Sequence, residues 1–146
     1  MKKVFFFILV AVIFETQLSF SQIIHINVYQ VQDAQFDSVY TEDYFDVINN
    51  PNNFFSCPHR EVNGSYEIDL SNKQFKFYLR GVLENKGDIE FSNSGSLHTI
   101  YFLIEGWYIG MIVNLDSYTE SCTWFSILGD NIELVKFTRF EIVKGS

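Results

Sequence analysis

The stretch SYEIDLSNKQFKFYLR, residues 65–80, decides the fold class of this chain. Apolar side chains alternate with polar ones before and after the triplet Ser-Asn-Lys, and a period of two is typical of strands with one buried face. Two such runs around a short polar turn predict a β-hairpin. Glu67 and Asp69 on the first strand can then face Lys76 and Arg80 on the second, with each cross-strand pair contributing a few tenths of a kcal/mol.

Similar runs extend in both directions from this hairpin. They predict strands at 24–29, 65–70, 74–80, 88–91, 97–105, 107–115, 122–128 and 132–143. Two of them, 97–105 and 107–115, are apolar on both faces, so they are either buried on both sides or line an apolar cavity. The last run changes phase between Lys136 and Arg139, which predicts a bulge. Seven or eight antiparallel strands in meander order predict an all-β fold, a small up-and-down barrel, with a two-sheet sandwich as the alternative.

One segment departs from this pattern. Thr41 is an N-cap type of residue, acidic residues follow it, and the segment ends at Asn50-Pro51. These are helix start and stop signals, and they predict a short helix near residues 42–49.

The first 21 residues have the layout of a secretory signal peptide. Two lysines precede an apolar run at 4–14, which is too short to span a bilayer. Small residues at Ser19 and Ser21 then mark a cleavage site before Gln22. This Ser-Phe-Ser-Gln sequence resembles that of bacterial export signals. We therefore expect a secreted or periplasmic protein with a single all-β domain over 22–146 and no membrane attachment after cleavage.

Charge narrows the range of partners. The net charge is −8. Cleavage would remove two lysines and one glutamate, leaving seventeen acidic against eight basic residues, or −9. Such a surface repels nucleic-acid phosphates and anionic membranes and attracts cationic partners. Five acidic residues occur between Gln22 and His59 without any Lys or Arg, and they form a candidate partner surface: Asp33, Asp37, Glu42, Asp43 and Asp46.

Two cysteines remain after the signal peptide, Cys57 and Cys122. In an oxidising compartment such a pair predicts one disulfide, worth about 4 kcal/mol in the chain-entropy model. Cys57 and His59 would supply only two metal ligands, so no metal site is expected.

No catalytic constellation emerges from the sequence. It has no G-x-S-x-G, no H-E-x-x-H and no Gly-rich phosphate loop. We therefore expect a non-enzymatic protein without a cofactor. A candidate aromatic cavity or interface is formed by Tyr101, Trp107, Tyr108 and Trp124, since aromatic residues on both faces of neighbouring strands must cover two surfaces.

These observations favour an exported binding protein that recognises another protein, for example a cationic one. In its architecture the chain looks like small acidic inhibitors of basic hydrolases such as lysozymes. One alternative is a lipocalin-type carrier of a small apolar ligand, although no Gly-x-Trp stands near the first strand. Another is a surface-assembly protein that adds strands between chains. The sequence leaves the oligomeric state open.

Overall fold

A computed structural model of the chain describes residues 22–36, 54, 57–104, 107–128 and 131–145. All the described regular structure except a single 3-10 residue, Phe54, is β-strand. The strands are β1 (Ile23–Phe36), β2 (His59–Asp69), β3 (Gln74–Leu79), β4 (Val82–Ser94), β5 (Leu97–Ile104), β6 (Trp107–Asn114), β7 (Ser121–Leu128) and β8 (Asn131–Lys144).

The eight strands form one closed barrel. Each strand pairs antiparallel with its neighbours in the chain, and β8 returns to pair with β1. The predicted meander is therefore confirmed as a barrel rather than a sandwich. The predicted helix near 42–49 lies outside the described residues.

The hairpin at the centre of the prediction is confirmed, with one of its two expected cross-strand charge pairs; Arg80 follows the end of β3 and does not face Asp69. Glu67 lies opposite Lys76, and their side chains form an ion pair with an N–O distance of 2.7 Å. Asp69 departs from the expected pairing: it lies opposite Gln74, and its carboxylate accepts hydrogen bonds from the backbone and side-chain nitrogens of Asn72. Those bonds organise the turn and lower the pKa of Asp69.

The structure also tests the predicted bulge and the predicted start of the fourth strand. The bulge predicted in the last strand is present, because the pairing of β8 with β1 shifts between Phe137 and Arg139. β4 begins at Val82, six residues before the predicted start, and its first residues are exposed. Arg80 and Gly81, which connect β3 to β4, both have positive φ angles, as the tight hairpin turns that match strand twist require.

The barrel interior is filled at one end. This end, here called the closed end, carries the β2–β3, β4–β5 and β6–β7 turns together with the start of β1 and the end of β8. Leu70 and Leu115 follow β2 and β6 directly, and both are buried. Their backbone nitrogens donate to the carbonyls of Gln22 and Ser96, which fixes both leucines across the closed end.

A second apolar cluster lies outside the barrel wall, here called the outer cluster. Its buried members are Ala34, Phe54, Ile112, Phe125, Ile132 and Leu134, with Cys57, Leu97, Tyr101 and Ile127 packed against them. Strands β5 and β6 are therefore covered on both faces in this region, which explains why their sequences are apolar on both sides.

The prediction of a disulfide is wrong for this structure, because the sulfur atoms of Cys57 and Cys122 are not bonded to each other. Cys122 is 1% exposed and belongs to the interior cluster, whereas Cys57 packs on the outer cluster. The barrel wall separates the two thiols, and a disulfide requires Cβ atoms about 4 Å apart. Burial also raises the pKa of the Cys122 thiol, so this cysteine acts as a small core residue.

Candidate functional site

The other end of the barrel, here called the open end, contains a cavity of about 250 Å³, here called the cup. It lies among β1, β2, β3, β7 and β8. Its aliphatic wall is formed by Val28, Val31, Val62, Leu79 and Val135. The first residues of β2 and the last residues of β3 reach its mouth, because these strands begin and end at the open end.

A small inward-facing residue leaves space in the cup. Val28 pairs with Gly64 across β1 and β2, and both line the cup. A Cβ atom on Gly64 would lie 3.3 Å from the Phe77 ring, so the space beside this ring depends on glycine. The fully buried residues of the closed half pack against one another in the interior cluster: Ile24, Ile68, Ile100, Met111, Val113 and Cys122.

Four aromatic side chains also line the cup: Tyr66, Phe77, Trp124 and Phe137. The Tyr66 ring lies 4.7 Å from the Phe77 ring and 6.1 Å from the Phe137 ring, measured between centroids. A smaller hollow of about 180 Å³ shares Tyr66, Phe77 and Trp124 and extends toward β5 and β6. The aromatic lining is therefore common to both spaces.

Charged side chains stand at the mouth of the cup. Arg60 donates two hydrogen bonds of 2.8 Å to the Asp33 carboxylate, from Nε and from Nη2. These hydrogen bonds lower the pKa of Asp33 and raise the pKa of Arg60, and the nearby charge of Glu133 also raises the pKa of Arg60. The mouth is thus closed on one side by a bidentate ion pair, the strongest geometry for such a pair.

The barrel wall divides the predicted aromatic set. Trp124 lies on the inner face and lines the cup. Tyr101 and Tyr108 lie on the outer face, where their rings are 5.6 Å apart and both contact Phe125. Trp107 begins β6, but its side chain lies outside the described part. Trp124 therefore belongs to a different surface from the two tyrosines.

The predicted acidic surface is described only at Asp33, whose carboxylate is held by Arg60. Asp37, Glu42, Asp43 and Asp46 lie outside the described residues, as does Ser21 of the expected cleavage site. Gln22 is the first residue described, and its backbone nitrogen donates to the Ser71 hydroxyl over 3.1 Å at the closed end.

A larger hollow of about 620 Å³ lies beside the β5–β6 hairpin, between Glu90, Leu103 and Tyr108. Half of the surfaces of Leu103 and Tyr108 are exposed there. This hollow borders residues 105–107, where the description is interrupted, so its outline is incomplete. The residues that line the cup all lie on described strands.

Among the described residues, no group of three His, Cys, Asp or Glu side chains is placed to hold a metal ion. The described part also contains no helix long and apolar enough to cross a bilayer. The arrangement at the open end is an apolar cavity with a few charged groups at its mouth, which is the usual composition of a small-molecule site.

Comparisons with protein-family models, with curated proteins and with solved structures give no match to this chain.

Sequence reasoning found Trp124 and Asp33 but missed the rest of the cup. Its residues come from five strands, and only the register of a closed barrel brings them together. One local signal was present: Gly64, a glycine within β2 whose position faces inward.

Proposed function

We propose that this protein is a non-enzymatic binding protein that takes a small, mainly apolar molecule into the cup. The observation that carries the proposal is an asymmetry among the described residues of the barrel, which pack together at the closed end and leave a cavity at the open end. Eight-stranded up-and-down barrels, lipocalins among them, can hold one small ligand in this way. With the signal peptide predicted from residues 1–21, we further propose that binding takes place outside the cytoplasm.

The size of the cup limits the ligand. About 250 Å³ corresponds to roughly eight water volumes, so a molecule of about six to eight non-hydrogen atoms fits. Burying each methylene contributes about 0.8 kcal/mol, and a six-carbon chain would gain about 4 to 5 kcal/mol. This corresponds to a dissociation constant in the millimolar range. Tighter binding requires polar contacts at the mouth.

Recognition of a cationic protein through the acidic surface stays a separate prediction, supported by the charge of −8. A role in strand addition receives less support, because each of the eight described strands is already paired on both sides.

The test is a titration of the full mature protein with 1-hexanol, followed by the indole N–H signal of Trp124 in nitrogen–proton correlation spectra. The chain has two tryptophans, and Trp124→Phe identifies the signal. We expect a saturable shift of this signal, because Trp124 lines the cup.

A blocking variant makes the test specific. Val62→Phe places a ring at the mouth of the cup and should remove the saturable shift while the barrel stays folded. Val143→Phe is the matched control: Val143 is exposed and lies near the end of β8 at the closed end, so binding should be unchanged. A Trp124 signal that does not respond to 1-hexanol, or responds equally in the Val62→Phe variant, would refute the proposed function.

A further inference from the structure

The cup has an excess of negative charge at its mouth. Three charged side chains line it: Asp33, Arg60 and Glu133. Two are carboxylates and one is a guanidinium, so the described lining of the cup has a net charge of −1. The rest of this lining is mainly aliphatic and aromatic.

The excess charge resides on Glu133. Arg60 directs both of its short hydrogen bonds to Asp33, so the guanidinium is committed to that carboxylate. The side chain of Glu133 forms no hydrogen bond or ion pair with any residue in the described ranges, although its charge acts on Arg60. The nearby cation, Arg60, is bound to Asp33. The Glu133 carboxylate beside the apolar cavity can therefore pair with a positive charge on the ligand.

The aromatic lining is compatible with the same ligand charge. Trp124, Tyr66 and Phe77 line the cup below this mouth, and aromatic ring faces attract cations and repel anions. An anionic ligand would instead meet Glu133 and would have to take Arg60 from Asp33. The charge balance at the mouth therefore favours a positive ligand, and the aromatic lining below it suits the apolar part of that ligand.

We infer that the ligand is an organic ammonium compound, with its apolar part in the cup and its nitrogen at the mouth beside Glu133. This inference rests on the proposed function, because it assigns the chemical class of the molecule that the cup takes. Glu133 is a solvent-exposed side chain, so its contribution is selectivity rather than most of the affinity.

Three probes with the same six-carbon chain test this inference: n-hexylammonium, 1-hexanol and hexanoate. Each is titrated into the mature protein at low salt, and the Trp124 indole signal is followed. We expect hexylammonium to bind about three- to tenfold more tightly than hexanol, and hexanoate to bind more weakly than either. The difference between hexylammonium and hexanol should shrink at high salt, because exposed charge pairs are screened.

Two variants assign the effect to one carboxylate. Glu133→Gln should bring hexylammonium to the affinity of hexanol and leave hexanol itself unchanged. Glu141→Gln removes the same charge from an exposed position elsewhere on β8 and should leave the order of the three probes as it was.

The outcomes separate the two proposals. Equal binding of hexylammonium and hexanol, or a preference for hexanoate, would overturn the ammonium inference while the cup remains a binding site. An ammonium preference that persists in the Glu133→Gln variant would also overturn it. If none of the three probes gives a saturable shift, the proposed function fails as well.

Discussion

At the scale of single residues, His98 is a buried polar residue that lacks a hydrogen bond within the described part of the chain. Its residue surface is 7% exposed, and its Nδ1 has no hydrogen-bond partner within the described residues. Burial, together with the positive charge of Lys144 from β8, lowers the pKa of His98 below its ordinary value of 6.5. The folded protein therefore favours the neutral imidazole.

This environment predicts that acid destabilises the protein. Between pH 6.5 and the lower pKa of the folded state, unfolded His98 binds a proton that folded His98 does not, so the free energy of unfolding decreases as the pH falls. The slope from this one group is at most about 1.4 kcal/mol per pH unit. We expect His98→Gln to flatten the dependence between pH 6.5 and 5, as measured by urea unfolding. Equal slopes in the two proteins would contradict this assignment.

Gly110 is the described glycine at which an added methyl group should lower the stability of the protein most. A Cβ atom there would lie 2.3 Å from Cζ of Phe125 and 2.6 Å from the carbonyl oxygen of Ile100. The backbone oxygen cannot move away as a flexible side chain could, so the strands would have to separate.

We therefore expect Gly110→Ala to lower the free energy of unfolding by about 3 kcal/mol, at the upper end of typical overpacking costs. Gly87→Ala is the control, because its Cβ would meet only the Phe75 ring, at 3.2 Å. That variant should lose less than about 1 kcal/mol in the same urea experiment. Comparable losses in both variants would show that Phe125 does not pack over Gly110 as described.

At the scale of elements, local alternation predicted all eight strands, but it ended β1 seven residues too early and began β2 six residues too late. The hairpin at 65–80 and the bulge near Phe137 follow from patterns within a few residues of each other. The disulfide prediction failed because cysteine count and compartment do not show on which side of the barrel wall each thiol lies. The start of β4 was missed because its exposed residues carry no alternating signal.

The separation of the cysteines by the barrel wall has a direct chemical consequence. In the native protein without reductant, iodoacetamide should label half-buried Cys57 and leave Cys122 unmodified. In denaturant, again without reductant, both cysteines should be labelled, and intact mass counts the added groups. If neither cysteine reacts until reductant is added, the two cysteines form a disulfide, and the placement of the thiols described here is wrong.

At the scale of the whole molecule, the barrel has two unlike ends. Buried side chains pack together at the closed end, whereas the described residues around Gly64 leave the cup at the open end. The sequence predicted the strand order and the all-β class, but the cup required the register of five strands around a closed circuit. That register is set by long-range pairing, such as β1 with β8, which no local pattern encodes.

Diffraction from crystals pressurised with xenon tests this asymmetry most directly, because xenon enters apolar cavities whatever the chemistry of the natural ligand. The predicted result is xenon density within the cup, against Trp124 and Val135, and none among the packed residues around Ile24 and Ile100. A cup without xenon, or xenon density only in the packed half, would contradict the account.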